Sequence, residues 1–144
     1  MKKNYNKKIG FYVYSYYQAK EVVSTSINNK KFPYIVFKYY MVKNLGGDWI
    51  KEITKLLTRD FSKNKFGIII ECRKNPALAL YYIRFGFSCI IFNGNNILQK
   101  KIKEINYKKK VIINPKIKIF DLKNVKNCNK YILKKFKQLE KRKK

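Results

Sequence analysis

The chain contains no histidine, and only eight of its 144 residues are acidic. Without an imidazole, the Cys–His nucleophilic pair cannot be assembled, and a zinc site of mixed Cys and His ligands is excluded as well. The three cysteines, Cys72, Cys89 and Cys128, are odd in number and show no CxxC spacing. That argues against a disulfide framework and suits reduced thiols in a cytoplasmic setting. No run of about 18 apolar residues exists, so no membrane-spanning helix is expected. Neither GxGxxG nor GxxxxGK[ST] occurs, which removes the usual nucleotide-binding fingerprints. The opening MKKNYNKKIGFYVYSYY is basic but runs into a tyrosine-rich stretch with no small-residue cleavage site. It reads as leading into a strand, not as a signal peptide. No metal or cofactor is expected from this inventory.

What the chain does have is apolar content and positive charge. Hydrophobic residues make up 46% of it, enough for one real core. A single domain over residues 1–140 is expected, with a basic, frayed tail at 141–144. The 35 Lys and Arg give a net charge of +27, a field that favours anionic partners such as nucleic acid or an acidic protein. Of those 35, 31 are lysine, and Lys, Asn, Ile, Tyr and Phe together supply 87 residues. An AT-rich genome would write that pattern onto any surface. Selection for phosphate recognition would favour the bidentate guanidinium of arginine.

Two periodicities alternate along the chain. Runs of β-branched and aromatic residues predict strands at 9–14, 34–39, 66–72, 88–92 and 111–113. Stripes at helical spacing predict helices through Ala19–Ile27, Trp49–Phe61, Ala77–Phe85, Ile97–Ile105 and Val125–Leu139. Ser15 is placed to cap the first helix, and Asn75 with Pro76 to open the third. Gly86 is placed to end that third helix. Residues 41–45 are ambiguous, and 117–122 reads as a connecting stretch, with an extended conformation as the alternative. The alternation implies an α/β fold: a single three-layer domain of about five mostly parallel strands alternating with helices, flavodoxin-like in architecture.

Residues 66–94, FGIIIECRKNPALALYYIRFGFSCIIFNG, carry a further pattern. An apolar strand leads to Glu71-Cys72, a polar turn with Asn75-Pro76, an Ala/Leu helix from Ala77 to Leu80, then Ile83-Arg84 and Gly86. With Tyr14-Ser15, Gly47, Trp49 and Asp121-Leu122, it resembles a family of small, uncharacterised alphaproteobacterial proteins. The resemblance implies an α/β fold and a bacterial cytoplasm, and no activity. Arg73 stands where that pattern has glycine, and Lys74 where it has an acid.

In parallel sheets, ligands bind outside the carboxyl ends of the strands. Ser15, Tyr39, Glu71, Cys72, Arg73, Asn75, Asn93, Asn95, Asn96 and Asn114 are expected there. Ser15, Arg73, Asn75, Asn93, Asn95 and Asn96 are the ligand-binding candidates, since they could meet an anion at helix N-termini. Ordinary turn and cap chemistry explains the same asparagines without a ligand. Cys72 is a candidate nucleophile, with Arg73 and a helix end beside it to lower the thiol pKa. A buried packing role competes. Glu71 and Asp121 could act as a carboxylate pair, or simply pair with lysines. Tyrosines and phenylalanines interleaved with lysine could stack on RNA, and the basic C-terminal helix could form its electrostatic footprint. Three functions are therefore open. The first is a non-catalytic module holding an anionic ligand or acidic protein at the strand ends. The second is an RNA- or ribosome-associated protein, and the third a small enzyme using Cys72 or Glu71/Asp121.

Overall fold

A computed structural model describes residues 8–141. The elements alternate as β1 (Lys8–Tyr12), α1 (Tyr16–Asn28), β2 (Pro33–Phe37), α2 (Tyr39–Asp60), β3 (Gly67–Arg73) and α3 (Pro76–Arg84). They continue as β4 (Cys89–Phe92), α4 (Asn96–Ile105), β5 (Ile112–Ile113), β6 (Ile117–Asp121) and α5 (Cys128–Lys141). The α/β class expected from the sequence holds, with six strands in one sheet and five helices. Every neighbouring pair of strands is parallel. The tail expected to fray lies, apart from Lys141, outside the described residues.

The local signals act as the sequence suggests. The Ser15 side chain accepts from the Gln18 backbone N–H, and Asn75 from that of Leu78, so each caps its helix. Pro76 occupies the first turn of α3, where its missing N–H costs nothing. The ambiguous segment 41–45 is helical. It forms the first part of α2, which breaks at Gly46 with φ of 81°, a conformation that glycine adopts without steric cost. The buried Tyr82 hydroxyl donates to the Val42 carbonyl at 2.9 Å beside this break. A helix end buried there would otherwise leave that carbonyl without a partner.

One expectation is corrected. Residues 117–121 are a sixth strand rather than a connecting stretch, paired along β1 from Lys8↔Ile117 to Tyr12↔Asp121. The strand order is β5-β4-β3-β2-β1-β6. From β1 to β5 the chain therefore advances in one direction, and only β6 steps to the other side of β1. Right-handed crossovers that advance one way place their helices on one face. The core agrees: Ile9, Phe11, Ile35, Phe37, Ile70 and Ile90 share a single buried cluster with residues from all five helices.

The opposite face is short of helices and is closed by curvature. Only three residues separate β5 from β6, so their facing ends lie no more than about 15 Å apart. Six strands laid flat would hold them about 24 Å apart. The sheet must curl. The curling also explains why Val36 and Ile69 are fully buried although they pack only against other strand residues. Gly10 faces the same side, where an added Cβ would stand 2.9 Å from Ile117 Cδ1 and 3.0 Å from Val36 Cγ2. The concave face is thus packed at its base, and its carboxyl-end rim is formed by polar residues.

Candidate functional site at the carboxyl ends of the strands

Period-two alternation sends Tyr12, Glu71 and Asp121 to the concave side, because Phe11, Ile70 and Leu122 beside them belong to the helix-covered core. At the rim they meet. Tyr12 donates its hydroxyl to Glu71 at 2.7 Å, and the Tyr39 backbone N–H donates to the other Glu71 oxygen at 2.9 Å. Asp121 accepts from Tyr14 at 2.6 Å, from Lys38 Nζ at 2.9 Å and from the Lys123 backbone at 2.9 Å. Lys38 Nζ also lies 5.0 Å from the centre of the Tyr12 ring, which joins the two carboxylate groups into one network. Gln18 braces it by receiving the Tyr14 N–H and donating to the Leu122 carbonyl.

These contacts fix the protonation states. Burial raises the Tyr12 phenol strongly, and the bond to Glu71 raises it further. Tyr14 is raised in the same way, by burial and by Asp121. Both phenols remain donors at neutral pH. Burial pushes the Asp121 carboxyl up, but hydrogen bonds from Tyr14, Lys38 and the Lys123 backbone outweigh it and hold the group below its ordinary value. The Asp121 bond in turn raises Lys38. Because the Asp121 pKa is lower in the folded than in the unfolded chain, its stabilisation is present above the ordinary carboxylate pKa. It is lost as pH falls through the lowered one. Asp121→Asn should therefore flatten the acid limb of the stability curve between those two values in urea titrations at stepped pH. An unchanged acid limb would mean that the network contributes nothing to folding.

Beyond Glu71, β3 departs from regular pairing. Its register against β4 shifts between Glu71 and Arg73, and the Asn93 N–H donates to the Arg73 carbonyl at 2.6 Å. Arg73 has φ of 49°, a left-handed backbone that costs a side-chain-bearing residue about 1–2 kcal/mol. This backbone is one that glycine adopts without that cost. It also gives the arginine a defined direction: the guanidinium lies over the Tyr39 ring, 4.8 Å from its centre. Tyr39, Arg73, Lys74, Asn75, Pro76 and Asn93 line a cleft of about 630 Å³ at the start of α3.

Of the residues expected at the strand ends, Tyr39, Arg73, Asn75 and Asn93 line this cleft. Glu71 and Asp121 stand on the rim network beside it. Ser15 and Asn95 are occupied as helix caps, Asn96 is an exposed residue of α4, and none of the three lines the cleft. Asn114 is structural: its amide bonds both the N–H and the carbonyl of Phe92, continuing the β4 ladder. Cys72 is corrected. It is fully buried on the helix-covered face, turned away from Glu71. Burial and then Glu71 push its thiol up to about 12 instead of lowering it. Cys89 and Cys128 are also buried, each with its thiol raised by burial. Tyr12, Lys38 and Lys74 are rim or cleft residues that the sequence did not single out as ligands. Among the described residues no group of three or more Cys, Asp or Glu could hold a metal ion, and no helix is long and apolar enough to cross a membrane.

Fold and site together define an all-parallel α/β protein with a cationic cleft and a tyrosine–carboxylate network at the carboxyl ends of its strands. Comparison with family models, with curated proteins and with solved structures finds no significant match for the chain.

Proposed function

We propose that the protein is a binding module for a small anionic ligand, held in the cleft at the carboxyl ends of β3 and β4. The supporting observation is Arg73. A residue in a left-handed backbone at a strand bulge is strained, and such strain collects at ligand sites. Arg73 is one of only four arginines in the chain, and it shares the cleft with Lys74, Asn75 and Asn93. A guanidinium and an ammonium, with two asparagine side chains in the same lining, match the oxygens of a phosphate or carboxylate.

RNA binding along α5 is the competing reading. Lys130, Lys134, Lys137 and Lys141 do lie exposed on that helix, while Cys128, Ile132 and Phe136 are buried. Basic residues stand on every other helix too, however, so the charge is not gathered into one stripe.

The test uses two variants of Arg73 and titration calorimetry with inorganic phosphate. Arg73→Ala and Arg73→Gly should each weaken phosphate binding about ten-fold or more, the loss expected for one charge-assisted contact. Lys134→Ala removes the same charge from α5 and should leave phosphate affinity within about two-fold, as expected for an exposed charge outside the cleft. The glycine variant should also be more stable than the alanine variant by about 1 kcal/mol, since only glycine escapes the left-handed cost. Equal losses for Arg73→Ala and Lys134→Ala would mean that phosphate responds to overall charge alone, and the cleft reading would fall.

A further inference from the structure

The cleft and the rim network have opposite electrical character, yet they are joined through one residue. Tyr39 lines the cleft under the Arg73 guanidinium, and its backbone N–H holds Glu71. Along the sheet the order of side chains is Asn93 and Arg73, then Glu71, then Lys38 with Tyr12, then Asp121, across five adjacent strands. The chain has only eight acids, and two of them stand on this rim. Asp121 is matched by Lys38, but no ion pair among the described residues involves Glu71, whose partners are two neutral donors. A ligand that were anionic throughout would meet repulsion from Glu71. A ligand with one anionic end and hydrogen-bond donors at the other would satisfy both halves.

We infer that the site takes a two-ended ligand, a phosphate monoester of a hydroxylated compound, with its phosphate against Arg73 and its hydroxyls against Glu71 and Tyr12. This rests on the cleft reading above. Each Glu71 oxygen keeps a free acceptor site after its present bond, and the Tyr12 oxygen, which donates to Glu71, can still accept. Hydroxyl groups both donate and accept, so they match this pairing. Glu71 and Tyr12 are half-buried, reachable from the rim but backed by the packed interior. A site whose polar groups are held in advance by Tyr39 and Tyr12 loses little ordering entropy on binding.

The experiment compares inorganic phosphate, butyl phosphate, phosphoethanolamine and ribose 5-phosphate by calorimetry on the wild type, Glu71→Gln and Tyr12→Phe, with circular dichroism to verify folding. Ribose 5-phosphate is expected to bind at least about ten-fold tighter than butyl phosphate, the effect of one or two added hydrogen bonds. Both variants should narrow that gap, and Glu71→Gln, which removes the charge that repels an anion, should bind inorganic phosphate no more weakly than the wild type does. Should Glu71→Gln fail to fold, Tyr12→Phe alone carries the comparison. If both esters bind equally while Arg73 still governs phosphate, the hydroxyl inference is overturned and the anion cleft stands. Tighter binding of phosphoethanolamine than of ribose 5-phosphate would also overturn it, assigning the acidic half to an ammonium. Absence of binding by all the phosphates, with Arg73→Ala indistinguishable from wild type, removes the cleft reading and this inference together.

Discussion

Phe11→Ala is expected to destabilise the protein by about 3–5 kcal/mol, the cost of deleting a fully buried aromatic ring and leaving a cavity. Phe11 is 0% exposed near the carboxyl end of β1, between β2 and β6. Its ring centre lies 5.8 Å from that of Phe120 on β6 and 6.3 Å, edge-on, from that of Phe136 on α5. The cavity would open between Phe120 on β6 and Phe136 on α5. For a chain of this length the loss corresponds to a fall in Tm of about 10 °C or more. Its neighbour Tyr12 is the internal control. That side chain points to the concave face and is half-buried, so Tyr12→Phe removes one hydrogen bond and should cost only about 1 kcal/mol. Thermal or urea denaturation of the two variants measures the difference. Similar losses at the two positions would contradict the assignment of one face of β1 to the helices and the other to the rim.

That alternation also explains which parts of the molecule were legible beforehand. FGIIIEC announces β3 because its apolar run is unbroken, and Ser15, Asn75-Pro76 and Gly86 mark helix ends through chemistry that acts within four residues. The sixth strand was not legible. Ile117–Asp121 follows Pro115 and is separated from β5 by three residues, which locally resembles one connection. Its partner is β1, more than a hundred residues away, and only the closing curvature of the sheet brings them together. The site divides in the same way. Arg73, Asn75 and Asn93 cluster near one another in sequence and were singled out. Lys38 was invisible, one lysine among 31, until its bond to Asp121 distinguished it. In sequence Tyr12 is one of twelve tyrosines, and its hydroxyl contact to Glu71 spans 59 positions. Local periodicity carries the direction a side chain takes from its own strand. It does not carry the identity of what it meets there.

Cys72 should resist alkylation in the folded protein at least about a thousand-fold relative to the denatured chain. The thiolate is the reacting form, and a free cysteine with a pKa of about 8.5 is about one-tenth ionised at pH 7.5. With its pKa pushed up to about 12 by burial, Cys72 is almost entirely in the unreactive thiol form at that pH. Burial adds a second barrier, because reagent reaches a 0% exposed sulfur only through local opening. Iodoacetamide labelling followed by mass spectrometry, with and without denaturing urea, reads both effects together. Labelling of Cys72 in the native state at the rate of a free thiol would restore it as a candidate nucleophile. Protection would direct any search for chemistry to the rim, where the ionised Asp121, the cationic Lys38 and two protonated tyrosines already touch. Those groups can orient and polarise a ligand. The phenols, held far above neutral pH by burial and by their carboxylate partners, would not serve as bases there. Polar groups held in place before any ligand arrives lose little ordering entropy on binding, and that is the physical ground for the binding role proposed above.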